Sequence, residues 1–147
     1  MLKILIKAGA NVNAIDAMGR TQLHWIGGIG DSAIRTQCLN ILMAQGANIN
    51  IQDNNGQTML YTTINYLWRD AQRSYSGKSL SFDSWLGTLL KKYGQKIDTK
   101  LRDKMKYSPV DFARQLGFMT VVEFLCTTGK WPCSKDDKMG YNMPTGE

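Results

Sequence analysis

The sequence predicts an all-α fold, a solenoid of three stacked helix pairs preceded by a lone half-repeat helix, on three observations. A phrase recurs: Gly9-Ala10-Asn11-Val12-Asn13-Ala14-Ile15-Asp16 is answered by Gly46-Ala47-Asn48-Ile49-Asn50-Ile51-Gln52-Asp53, and more loosely by Gly94-Gln95-Lys96-Ile97-Asp98 leading to Asp103. An apolar, helix-like run precedes each phrase, from Leu2 to Lys7, Leu39 to Ala44 and Leu86 to Lys91, and a fourth, Val121 to Leu125, ends in Gly129. A helix-opening segment follows each phrase: Gly19-Arg20-Thr21-Gln22-Leu23-His24, Gly56-Gln57-Thr58-Met59-Leu60-Tyr61 and Tyr107-Ser108-Pro109-Val110-Asp111-Phe112-Ala113. Such self-similarity marks a repeat architecture, in which no unit buries its apolar stripe alone and neighbours must stack.

The elements follow from that phase. A half unit, 1–15, supplies a single helix whose Leu2, Leu5 and Ile6 lack the partner that a preceding half unit would bring, so the chain reads as a fragment or a truncated copy. Unit 16–52 opens with a short helix from Gln22 to Gly28, and unit 53–102 with one from Met59 to Arg69. Unit 103–129 opens with a helix from Pro109 to Leu116. Thr21, Thr58 and Ser108 stand at these starts, where a hydroxyl accepts orphan backbone N–H bonds. Each second helix carries the apolar stripe. Residues 130–147 form a polar tail or cap, and Trp131 is expected to fold back over the last helix pair.

Two insertions stretch the period: about four residues between Asp31 and Cys38, and about fifteen between Tyr66 and Leu86. The second, at about 67–85, is expected to prolong the first helix of its unit, turn near Ser76-Gly77 and restart at a Ser81 or Asp83 cap. The result is an extended helical hairpin in the second unit.

At this point the chain resembles the ankyrin repeat, whose unit of roughly 33 residues is a β-turn finger followed by two antiparallel helices. The resemblance covers residues 1–129 and is most specific in the third unit, at Asp103, Ser108-Pro109-Val110, Ala113, Gly117, Val121-Val122 and Leu125 to Gly129. Gln22 and Met59 stand where the family has Pro, and Tyr61 and Asp111 where it has His. The resemblance implies that His24 hydrogen-bonds between neighbouring fingers. It also implies a concave surface of finger tips and first helices that holds a protein partner. Asn13 and Asn50 lie in the setting that an asparaginyl hydroxylase modifies in animal cells, beside their role as hydrogen-bonded turn residues. Irregular units with long insertions also look like ankyrin proteins that intracellular bacteria deliver into hosts, which implies a cytoplasmic location, the host cytosol for a delivered effector.

Composition and charge narrow the function classes. Apolar residues make up 43% of the chain with charges of both signs, which is neither disordered nor membrane-like, and no apolar run reaches the ~20 residues needed to cross a bilayer. The Met1 to Ile6 run is interrupted by Lys3 and closed by Lys7, so no cleavable signal peptide is read there. The net charge of +6 lies wholly between Arg69 and Lys106, which hold ten basic and four acidic residues, while the remainder holds eight of each. Interleaved Trp68, Tyr75, Phe82, Trp85, Tyr93 and Tyr107 suggest a basic aromatic surface for acidic protein, phosphoinositide or nucleic acid. The simpler expectation is that Trp68 and Trp85 pin the long helices together and the lysines form a solvated face.

Catalytic and cofactor chemistry find little footing. Cys38, Cys126 and Cys133 are odd in number and read as reduced, the first two packed between helices and the third exposed and oxidisable. Gly28-Ile29-Gly30-Asp31-Ser32-Ala33 fits a dinucleotide-binding glycine pattern, but a short helix rather than a buried strand precedes it. His24 is the only histidine, no cluster of zinc ligands exists, and Asp136-Asp137 sit in the tail. No cofactor, metal or small-molecule substrate is expected, and the chain is read as a non-enzyme.

The expected activity is therefore protein binding. Through the repeat phase, the recognition positions are Met18, Arg20 and Ile29 with Ala17 and Gly28 in the first unit, and Asn54, Asn55, Gln57, Asn65 and Tyr66 in the second. Lys104, Met105 and Tyr107, with Gln115 and Leu116, follow in the third. Met18, Ile29, Tyr66, Met105 and Tyr107 are expected to be exposed anchors. The alternative places Trp68, Arg69 and Arg73 of the basic hairpin against an acidic membrane surface or nucleic acid, or makes the chain a targeting arm of a larger enzyme.

Overall fold

In a computed structural model of the chain, three turns of the same chemistry set where the helices begin. The structure describes residues 4, 7–73, 82–128 and 131–133, with 82–84 as backbone alone. In the first turn the Asp16 carboxylate accepts from the N–H groups of Met18 and Arg20, while Asp16 N–H donates to the Arg20 carbonyl and Gly19 N–H to that of Asp16. The second repeats this with Asp53, Asn55, Gly56 and Gln57, and the third with Asp103, Lys106 and Tyr107. The fourth turn residue is left-handed each time: φ is +73° at Gly19, +74° at Gly56 and +69° at Lys106. Glycine takes that conformation without a Cβ penalty, so Lys106 holds it against its own preference.

Helices follow these turns in pairs. In chain order they are α1 (Gln22–Ile26), α2 (Ser32–Ala44), α3 (Met59–Arg73), α4 (Phe82–Tyr93), a 3-10 turn (Gly94–Lys96), α5 (Pro109–Gln115) and α6 (Met119–Thr127). Among the described residues the regular structure is helical, with no strand. Ahead of α1, Ile4 and Lys7 are helical and Ala8 N–H donates to the Ile4 carbonyl. Leu2, Leu5 and Ile6 of the expected half unit lie outside the described residues.

Side-chain chemistry accounts for the boundaries. Asp31 caps α2 by accepting from Ala33 and Ile34 N–H, and Ser108 caps α5 in a reciprocal box with Asp111, with Pro109 in the first turn where its missing N–H costs nothing. α1 stops at Ile26 rather than Gly28 because Gly27 already serves as its C-cap. α3 runs past Arg69 to Arg73, as expected of a lengthened helix. Asp83 lies inside α4 and so is not its cap, whereas Ser76-Gly77 and Ser81 lie outside the described residues.

Packing runs along the first helices: α1 rests on α2 and α3, α3 on α5, and α5 on α6. The core they enclose includes Leu23, Ile26, Leu39, Leu42, Ile64, Leu86, Leu89, Val110, Val121 and Leu125, all essentially buried. Close approach of α1 to α3 depends on Gly27 and Gly28. A Cβ on Gly27 would lie 3.0 Å from Thr63 Cα and 2.9 Å from Tyr66 Cδ2, and one on Gly28 would lie 3.0 Å from the Tyr66 ring.

A buried cation ties α4 to the first pair. Arg35 of α2 donates through Nε to the Ile29 carbonyl at 2.8 Å and through Nη2 to the same oxygen, and its guanidinium stacks over the Trp85 ring at 4.9 Å. Burial pushes its pKa down while the Asp70 carboxylate opposes that shift, so a carboxylate on α3 offsets part of the cost of an arginine in the core.

The cysteines correct the sequence reading. Cys126 and Cys133 are joined in a disulfide with Cα atoms 5.7 Å apart, so neither is a free thiol, and Cys133 is half-buried rather than exposed. α6 ends at Thr127 and the chain doubles back, bringing Trp131 into the core against the last helix pair. A cross-link closing so short a loop contributes about 2–3 kcal/mol by restricting the unfolded chain. Cys38 is free and partly buried on α2.

Candidate interaction surface

Stacked turns place the expected recognition residues in a row. Asn54 N–H donates to the Met18 carbonyl and its side-chain amide to that of Ala17, while Lys104 N–H donates to the Asn55 carbonyl. The three tips are thereby fastened to one another at 2.9–3.1 Å. Deeper in the stack, Asn13 accepts from Asn48 N–H and donates to the Gly46 carbonyl, and Asn50 does the same with Asp98 and Lys96. Both asparagine amides are thus committed to joining units. The pairing also fixes the register of the loose third phrase: Lys96, rather than Gly94, stands opposite Gly46.

Below the tips, the single imidazole links two turns. His24 is buried, its Nδ1 accepts from Thr21 N–H at 3.0 Å, and its Nε2 lies 2.9 Å from the Gln57 carbonyl. Because Nδ1 is an acceptor, the hydrogen-bond network assigns the proton to Nε2, which donates across to the second turn. Tyr61 occupies the matching place in the second unit and donates through its hydroxyl to the Tyr107 carbonyl at 2.7 Å; burial raises its pKa well above the usual phenol range.

What the row offers outward is apolar at its ends. Met18 is 47% exposed and Met105 70%, with Asn54 and Asn55 exposed between them and Lys104 and Lys106 flanking Met105. Beside Met18, the Arg20 guanidinium stacks 4.0 Å over the Trp25 ring and pairs with Asp16 at 3.2 Å. Trp25 is 46% exposed and was not among the expected contacts. Its signal was present, since Gln22, Trp25 and Ile29 share one helical face while Leu23 and Ile26 take the other.

Several expected anchors are less available than their positions implied. Ile29, Tyr66 and Tyr107 are half-buried, which corrects the expectation that they stand free. The Tyr66 ring lies over Gly27 and Gly28, the Ile29 carbonyl is occupied by Arg35, and the Tyr107 backbone closes the third turn. Gln57 and Asn65 are likewise half-buried. Trp68, Arg69 and Arg73 belong elsewhere: together with Gln72 they line an open groove of about 450 Å³ on α3.

Metal and nucleotide chemistry gain no support from this geometry. Among the described residues no group of His, Cys, Asp or Glu is placed to hold a metal ion, and no helix is long and apolar enough to cross a membrane. The glycine pattern from Gly28 to Ala33 leads into the N-terminus of α2, where the Asp31 carboxylate already occupies the backbone donors that a phosphate would need. Compared with known families and with curated proteins, the chain matches no family model and no curated relative.

Proposed function

We propose that this chain is an ankyrin-type repeat module that binds a protein partner, without catalysis, through its turn tips and the adjoining face of α1. The observation that carries this reading is the contrast between backbone and side chain along the tip row. The backbone is locked unit to unit by hydrogen bonds, while Met18, Trp25 and Met105 are held outward. A rigid platform that keeps large apolar side chains in water loses little ordering entropy on binding, and its exposed aromatic and Met groups are the types that anchor interfaces. The commitment of His24 to two structural hydrogen bonds supports binding over catalysis.

The test is a set of substitutions that leaves the packing alone: Met18→Ser, Trp25→Ser and Met105→Ser, compared with wild type in affinity capture from lysate read by mass spectrometry. The partners specific to wild type should be lost from the triple variant while its far-UV circular dichroism and melting stay unchanged. Retention of the same partners by a folded triple variant would show that this face is not the site.

A further inference from the structure

The groove on α3 lies on a different element from the tip row. Trp68, Arg69, Gln72 and Arg73 line it, and at about 100° per residue they span a continuous helical sector of roughly 140°. Arg69 and Arg73 are exposed, sit one turn apart, and make no ion pair among the described residues. The carboxylate between them in sequence, Asp70, falls outside that sector, and its charge acts on the buried Arg35. Trp68 is half-buried and packs against the core, so its indole forms a fixed apolar wall beside two free guanidinium groups and one amide.

We propose that this groove is a second binding site, for a short acidic peptide segment of a protein partner that carries carboxylates beside an apolar or aromatic residue. The two guanidinium forks, about 6 Å apart along the helix axis, suit carboxylates on neighbouring side chains of an extended peptide, each gripped by paired N–H donors. The indole face takes the apolar residue between them. Charge complementarity and size select this occupant. A nucleic acid site draws affinity from a long track of phosphate contacts, on the order of six or more, whereas this groove offers two cations on one helix. The other lysines of the basic segment are dispersed over α4, the loop after it and the third turn, where Lys92 is engaged by Asn40.

The probe is a fluorescein-labelled peptide of alternating Glu and Phe, titrated against the full chain at low salt and followed by fluorescence anisotropy. Its uncharged Gln/Phe counterpart, a single-stranded thymidine oligonucleotide and phosphatidylserine vesicles serve as competitors. Wild type should bind the acidic peptide, with affinity falling as salt rises, and each of Arg69→Gln and Arg73→Gln should weaken it roughly tenfold, the loss expected for one charge-assisted contact. The triple variant at Met18, Trp25 and Met105 should bind the peptide as wild type does, which separates this site from the tip row. The proposal fails if the acidic peptide does not bind, if it binds the double arginine variant equally well, or if the Gln/Phe peptide, oligonucleotide or vesicles displace it at lower concentration than unlabelled acidic peptide.

Discussion

The first and second units open with the same turn and diverge three residues into the helix that follows. At His24 one imidazole does two jobs: Nδ1 closes the start of α1 on Thr21 N–H, and Nε2 reaches the next turn at Gln57. At Tyr61 the phenol keeps only the second, reaching Tyr107. Asp111, the counterpart after the third turn, keeps only the first, accepting from Ser108 N–H and hydroxyl. The repeat therefore conserves a pair of hydrogen-bonding tasks rather than a residue, and each unit fills whichever task its neighbours leave open. Helix length diverges at the same place. Gly27 and Gly28 end α1 where Ile64 and Asn65 let α3 continue to Arg73, and the space those glycines leave is filled by Tyr66.

Filling that space should produce the largest effect. Gly27→Val drives a branched side chain into the Thr63 backbone and the Tyr66 ring, with overpacking expected to cost about 1–3 kcal/mol. For a chain of this size, each kcal/mol corresponds to roughly 2–4 °C of melting temperature. Gly30→Ala is the matched control, because nothing lies within 4 Å of a Cβ there and the change should stay within about ±0.5 kcal/mol. Thermal melts of the two variants decide the matter: equal behaviour would mean that the glycines only terminate α1 and do not admit α3.

Exchanging the shared position comes next, and the two units should respond unequally. His24→Phe leaves the buried Thr21 N–H without its acceptor, a desolvation penalty of about 1–3 kcal/mol. Tyr61→Phe removes a donor from the Tyr107 carbonyl, but that oxygen still accepts from Asp103 N–H, so the cost should be nearer 0.5–1.5 kcal/mol. Urea titrations measure both. A larger loss at Tyr61 than at His24 would contradict the assignment of two tasks to the imidazole.

Much of this arrangement was legible because turns speak through local chemistry. Asp16 with Gly19, and Asp53 with Gly56, announce an Asp-anchored turn closed by a left-handed residue, and Ser108-Pro109 announces a helix start. The lengthened hairpin was equally plain, since an apolar stripe with too many residues for its unit must project. Features that depend on distant packing were hidden. Arg35 fell within residues read as an insertion, and nothing local tells that Trp85 will cover its guanidinium. Cys126 and Cys133 could pair only because the chain reverses after α6, a path set by the burial of Trp131. Lys106 concealed the third left-handed position, where the local preference is overruled by the two bonds that Asp103 makes with Lys106 and Tyr107 N–H.

The smallest expected effect is an acid dependence confined to the third unit's version of the shared position. Burial alone would raise the Asp111 pKa, but hydrogen bonds from the Ser108 hydroxyl and N–H and from the Arg114 guanidinium outweigh it and hold the carboxyl below the ordinary value of 3.8. A group whose pKa is lower folded than unfolded binds protons more readily in the unfolded chain, so its stabilisation is present above the ordinary value and is lost as pH falls through the folded one. Denaturant midpoints recorded from neutral pH downward should therefore decline below about pH 4, and Asp111→Asn should flatten that decline without abolishing it. The remainder belongs to Asp16, whose carboxylate is held below the usual range chiefly by Arg20 N–H and, being fully exposed, is screened by water. Parallel acid limbs in wild type and Asp111→Asn would mean that the third unit's cap is solvated in solution. In that case the division of tasks would rest on His24 and Tyr61 alone.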